Sequence, residues 1–117
     1  DQAKDVVKTG FLTADELNCL YQNARALINL SQAEGFNLPV LEAAKCGTPL
    51  IISDIAVHRE IYGDGAIYVD TEKVGALSKA LNKLEDDREK WRKKASEVAK
   101  NYSFEKASKK TEDVLNS

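Results

Sequence analysis

Short apolar runs alternate with stretches of helical periodicity along this chain, and that alternation leaves few folds open to it. Residues 6–12 (VVKTGFL), 26–30 (ALINL), 50–53 (LIIS) and 66–69 (AIYV) each have the length and β-branched content of a strand. LIIS is a nearly continuous apolar run, as expected of a strand covered on both faces. Between the first two runs, Thr13-Ala14-Asp15-Glu16 has the form of a capping box, with Leu12 and Leu17 placed as a hydrophobic staple. Leu17, Leu20, Tyr21 and Ala24 then repeat at helical spacing. A second helix is predicted over 38–46, ended by Gly47-Thr48-Pro49, and a short third one over 57–61. Beyond the last strand the chain reads as helical. Val74, Leu77, Leu81 and Leu84 form one stripe, and Asp86-Asp87 can start a helix carrying Trp91, Ala95, Val98 and Ala99. A corner at Tyr102-Ser103-Phe104 leads to a last helix with Ala107, Val114 and Leu115. The order βαβαβαβ followed by extra C-terminal helices predicts an α/β fold: a Rossmann-like parallel sheet with helices on both faces.

Composition narrows the function classes. With 117 residues, the chain has the size of one domain, and no linker or repeat divides it. No apolar run approaches the roughly 20 residues that cross a bilayer, and no secretory leader opens the sequence. Two cysteines, Cys19 and Cys46, make neither a metal cage nor a disulfide framework, which favours a reducing, cytoplasmic setting. Met is absent and Asp1 opens the chain, the pattern of a piece cut from a longer protein. The net charge of −2 is uneven: residues 1–87 carry 8 basic and 14 acidic side chains, and residues 88–111 carry 9 basic and 3 acidic. The first region is no nucleic-acid binder. The second suits a solvated helix face, since Glu89, Glu97 and Glu105 are interspersed, and less well a peripheral contact with an anionic membrane.

In open parallel sheets, ligands bind outside the carboxyl ends of the strands. That rule selects the loops after Leu30, Ser53 and Val69. The first of these loops opens the segment EGFNLPVLEAAKCGTP, residues 34–49. Gly35 allows a sharp turn beside Glu34, Asn37 is a favoured N-cap, Pro39 suits the first helical turn, and Phe36 with Leu41 can staple the helix start. A helix beginning at Leu38 directs free amides and a positive dipole end toward the sheet edge, a setting suited to phosphate. Glu42, one turn in, can accept two hydrogen bonds from a vicinal diol such as a ribose. Glu34 can hold hydroxyls at the other end of the same ligand. The competing reading is a well-capped helix with two exposed glutamates.

The segment resembles the donor-binding motif E-G-F-G-L-P-x-x-E-A of retaining GT-B glycosyltransferases, the glycosyl transferases group 1 (family 4). Glu34, Gly35, Phe36, Leu38, Pro39, Glu42 and Ala43 match it. The likeness continues at Gly10-Phe11-Leu12, Glu16-Leu17, Leu20-Tyr21 and Ala24. It resumes at Ala44, Gly47, Pro49, Ile51, Ser53 and Asp54, then at Glu60-Ile61 and Tyr102-Ser103-Phe104. The resemblance implies that residues 1–117 are the C-terminal portion of a GT-B nucleotide-sugar-binding domain. It implies that Glu42 binds the donor ribose and that Glu34 contacts the transferred sugar as the catalytic carboxylate. Gly35 and the main-chain amides of Phe36, Asn37 and Leu38 would complete the donor site. No metal or cofactor is implied: the donor is a UDP- or GDP-linked sugar, and amides and basic groups neutralise its diphosphate. Position 37 is Asn where the family has Gly, a change that narrows the sugar pocket.

The family's acceptor-binding N-terminal domain, and the Arg/Lys pair it uses on the diphosphate, lie upstream of anything matched here. The expectation is therefore a donor-binding part of a hexosyltransferase serving polysaccharide biosynthesis, inactive alone. Its acceptor, a glycan or a lipid-linked one, would be reached through a missing domain, in the cytoplasm or at the inner membrane face. Two other readings stand beside it: a non-catalytic half-domain acting with a partner chain, and a fragment of a GT-B sugar-nucleotide epimerase. A truncated sheet also leaves an edge open to self-association. Elsewhere, His58 reads as a surface residue of a short helix, Asp54 as a turn cap, Glu60 as a structural side chain, Cys46 as packing, and Trp91 as the pin between an appended helix and the sheet.

Overall fold

The computed structural model describes residues 10, 12–31 and 38–101. Three parallel strands, β1 (Leu27–Asn29), β2 (Leu50–Ser53) and β3 (Ile67–Val69), form a sheet in the order β1-β2-β3. Helices α1 (Ala14–Asn23), α2 (Leu38–Lys45), α3 (Ala56–Tyr62), α4 (Ala76–Asp86) and α5 (Arg88–Asn101) surround it. Leu27 pairs with Leu50, and Ile51 with Ile67. Each strand-to-strand connection carries a helix, as parallel pairing requires. The α/β expectation is met, with helices on both faces and two after the last strand. Of the run 6–12, Gly10 and Leu12 are not in a strand, and the rest lies outside the described residues, as does the last helix expected beyond Tyr102.

The local chemistry explains the element ends. The Thr13 hydroxyl accepts from the Glu16 amide at 3.2 Å, and Glu16 accepts from the Thr13 amide at 3.0 Å. The bond from the Thr13 amide chiefly, and then the Thr13 hydroxyl, hold the Glu16 carboxyl below its usual range. At the far end of α2, Gly47 adopts φ 76°. Its amide reaches Ala44 O at 3.0 Å, and the Thr48 amide reaches Ala43 O at 3.1 Å, the two bonds of a Schellman cap. The Thr48 hydroxyl then donates to Tyr21 O at 2.6 Å, tying α1 to this corner. Asp87 accepts from the Lys90 amide at 3.1 Å and so opens α5.

Alternation along β2 divides the core. Leu50 and Ile52 face a cluster with Tyr21, Val40, Leu41, Ala43, Ala44 and Ala95. Ile51 faces another, with Ile67, Val69, Leu84 and Trp91. Helix α5 therefore supplies residues to both layers, and Trp91 does pin it to the sheet. Three stripe assignments need correction. Val74 is fully exposed, because the chain turns at Gly75 (φ 82°) and α4 starts only at Ala76. Leu81 and Leu20 are 39% and 47% exposed, lying at the margins of faces whose buried centres are Ala80, Leu84 and Tyr21.

Candidate functional site

The carboxyl ends of the strands converge on one edge of the sheet, and the first turn of α2 opens there. Of the sequence-predicted donor residues, Glu34, Gly35, Phe36 and Asn37 lie outside the described residues. Leu38 begins α2, as expected, and Glu42 is exposed in its second turn. Glu42 is also close enough to matter electrostatically to its neighbours. Burial chiefly, and then the Glu42 charge, push the Tyr21 phenol and the Cys46 thiol above their usual ranges. A raised thiol is protonated and inert, in keeping with Cys46 as packing against the core.

Beside α2, the loop after β1 is held from β2. The Ser31 amide donates to Asn29 Oδ1 at 3.1 Å, and the Ser53 hydroxyl donates to the Ser31 carbonyl in a short bond. Ser53 and His58 are each only 1% exposed. His58 Nδ1 lies 2.9 Å from the Ser53 carbonyl and 3.3 Å from its hydroxyl oxygen. A carbonyl can only accept, so Nδ1 carries a proton and donates there. His58 Nε2 is buried with no partner among the described residues. His58 is thus not the surface residue its polar neighbours suggest. Position 58 shares one helical face with Ile61 and Tyr62, both buried, and that i, i+3, i+4 spacing is the available signal.

The edge continues past β2 and β3. Asp54 does not cap the following turn; its two oxygens accept from Arg59 Nε at 2.7 Å and Nη2 at 2.9 Å. That hydrogen-bonded pair holds the Asp54 carboxyl below its usual range. The Arg59 guanidinium also lies 4.0 Å from the centre of the Tyr68 ring. Burial pushes the Tyr68 phenol up to about 12, and its OH donates to Gly63 O at 2.6 Å, closing the end of α3. A cleft of about 250 Å³ at the ends of β2 and β3 is lined by Asp54, Val69, Asp70, Thr71 and Glu72. Of its three carboxylates, Asp54 is the one already paired with Arg59. No group of three or more His, Cys, Asp or Glu is placed to hold a metal among the described residues. Among them, too, no helix is long and apolar enough to cross a membrane.

The described residues define a parallel α/β domain, with the carboxyl ends of its three strands along one edge of the sheet. Comparison with known sequences narrows the class. The profile of the glycosyl transferases group 1 matches residues 2–102, and the chain belongs to that family. It is 36% identical over 107 residues to O-antigen chain mannosyltransferase B of Escherichia coli, covering 87% of this chain and 28% of that protein. It is 39% identical over 71 residues to O-antigen chain mannosyltransferase RfbU of Salmonella typhimurium, covering 61% of this chain and 20% of that one. It is 32% identical over 110 residues to D-inositol 3-phosphate glycosyltransferase of Salinispora tropica, covering 87% and 22%. The chain thus spans 20–28% of the length of these relatives. No solved structure gave a significant match.

Proposed function

We propose that this chain is the donor-binding part of a retaining GT-B glycosyltransferase that moves a hexose from a nucleotide diphosphate sugar to a growing glycan. The observation that carries the reading is Glu42, exposed on the second turn of α2, in the segment where the family's sequence pattern has its second glutamate. Glu42 takes the ribose diol. The amides of Phe36, Asn37 and Leu38 meet sugar hydroxyls and diphosphate, with Gly35 allowing the turn. Glu34 stands beside the transferred sugar and backs the charge that develops at its anomeric carbon. Mannose is the preferred sugar, because relatives of this chain bear the name O-antigen mannosyltransferase. The acceptor is then a polysaccharide chain, free or lipid-linked, met in the cytoplasm or at the inner membrane face. Neither metal nor cofactor takes part in this scheme.

An amide NMR titration with UDP, GDP and their mannose conjugates tests the assignment. The expected result is saturable shifts at residues 34–42 that Glu42→Ala abolishes while the spectrum stays dispersed. Shifts confined to other residues, or unchanged by Glu42→Ala, refute the site. Acceptor-dependent release of nucleotide is expected to be absent from this chain alone, which spans 20–28% of the length of the relatives named above. Detectable transfer of labelled mannose by it overturns that expectation. A second reading, a binding half completed by another chain, is favoured by Ile28, 45% exposed on β1, which is an edge strand among the described residues. A mass of two chains in light scattering is the result that supports it.

A further inference from the structure

We infer that Ser53, backed by His58, is a positioning residue for the donor site. The inference rests on the proposed donor-binding role of residues 34–42. The β1–β2 ladder ends at the pair Asn29–Ile52, so Ser53 has no strand partner on that side in register. Its hydroxyl supplies the missing link, donating across to the carbonyl of Ser31, three residues before Glu34. The same Ser31 is held from behind, its amide bonded to Asn29 Oδ1. The chain therefore leaves β1 with both its donor and its acceptor at Ser31 fixed by side chains.

Ser53 is itself fixed. Its hydroxyl has one proton, which is committed to Ser31 O, and its carbonyl receives the Nδ1 proton of His58. A hydroxyl and an imidazole buried in an otherwise apolar core cost stability unless bonded. An alanine at 53 and a leucine at 58 would fill the same space without that cost. What they would lose is the link to Ser31. The pair of polar side chains is explained by the hold it gives β2 on Ser31, just past the end of β1.

The experiment compares Ser53→Ala with the pair His58→Leu and His58→Asn, the last keeping an N–H donor near the place of Nδ1. Backbone shifts are read at Ser31 and at Leu38–Leu41, and affinity is read for the nucleotide that the wild-type chain binds. Ser53→Ala and His58→Leu are expected to move those resonances and weaken binding at least fivefold, with dispersion kept. His58→Asn is expected to restore both readouts toward wild type. Unmoved resonances at Ser31 and Leu38–Leu41, or wild-type affinity in Ser53→Ala, overturn the inference. If the wild-type chain binds no nucleotide, the donor-site reading fails by itself, and the resonances alone decide whether Ser53 positions this segment. If Ser53→Ala fails to fold, the same two readouts in His58→Leu and His58→Asn decide the question.

Discussion

Trp91→Ala is expected to destabilise the chain by about 3–5 kcal/mol, the cost of truncating a large buried aromatic. Trp91 is 6% exposed and packs with Ile51, Ile67, Val69, Ala80 and Leu84 on the face of the sheet opposite α2. Lys83 and Lys90 also hold their ammonium groups 5.3 and 5.1 Å from the ring centre, a smaller electrostatic addition. A domain of this size has about 5–15 kcal/mol in all, so the variant sits near the edge of folding. Trp91 is the one tryptophan in the sequence, so tryptophan fluorescence is lost with it and unfolding is followed by far-UV circular dichroism in urea. A loss below about 1 kcal/mol contradicts the packing role, since even a partly collapsed cavity costs more. The companion Trp91→Phe keeps most of the contact area and is expected to lose less than half as much.

What can be read from sequence follows the physics of each element. LIIS is legible because a nearly continuous apolar run with covered faces has few alternatives, and the structure places β2 at Leu50–Ser53. The capping box is legible because both its bonds are local. Trp91 is legible from helical spacing. The burial of His58 is hidden because Arg59 and Glu60 beside it in sequence are exposed, while its own contacts run to Ser53 and toward Tyr62. Val74 falls on a helical stripe because periodicity alone cannot see the turn that Gly75 makes. The start of α2 at Leu38, and with it the place of Glu42 in the second turn, is legible from the N-cap and proline signals at positions 37 and 39. The Ser53–Ser31 bond spans 22 residues of sequence, and nothing local announces it.

Gly65→Ala is the second large effect, and its cause is equally invisible in the sequence. A Cβ on Gly65 would overlap the Val98 Cγ2 methyl, and it would stand 3.0 Å from Tyr62 O and 3.1 Å from Lys94 O. Val98 and Lys94 belong to α5, so the added methyl acts as a wedge between that helix and the start of β3. The methyl of Val98 can turn away, but two backbone carbonyls cannot, and the expected loss is about 2–3 kcal/mol. Val98→Ala in the same chain should recover part of it and no more, because the carbonyl contacts remain.

The consequence should reach the candidate site. Ala95 and Ala99 of α5 share a cluster with Ala43 and Ala44 of α2, and a Cβ at Gly47 would lie 3.3 Å from Ser96 Oγ. Small residues on both sides bring the two helices close, so α2 has α5 as its seat and carries Glu42 with it. A wedge that lifts α5 is therefore expected to move the Glu42 amide resonance and weaken nucleotide binding even under conditions where the variant stays folded. Loss of stability with an unshifted Glu42 and unchanged nucleotide affinity would show that α2 keeps its place without α5, its position then set by the sheet and α1 alone.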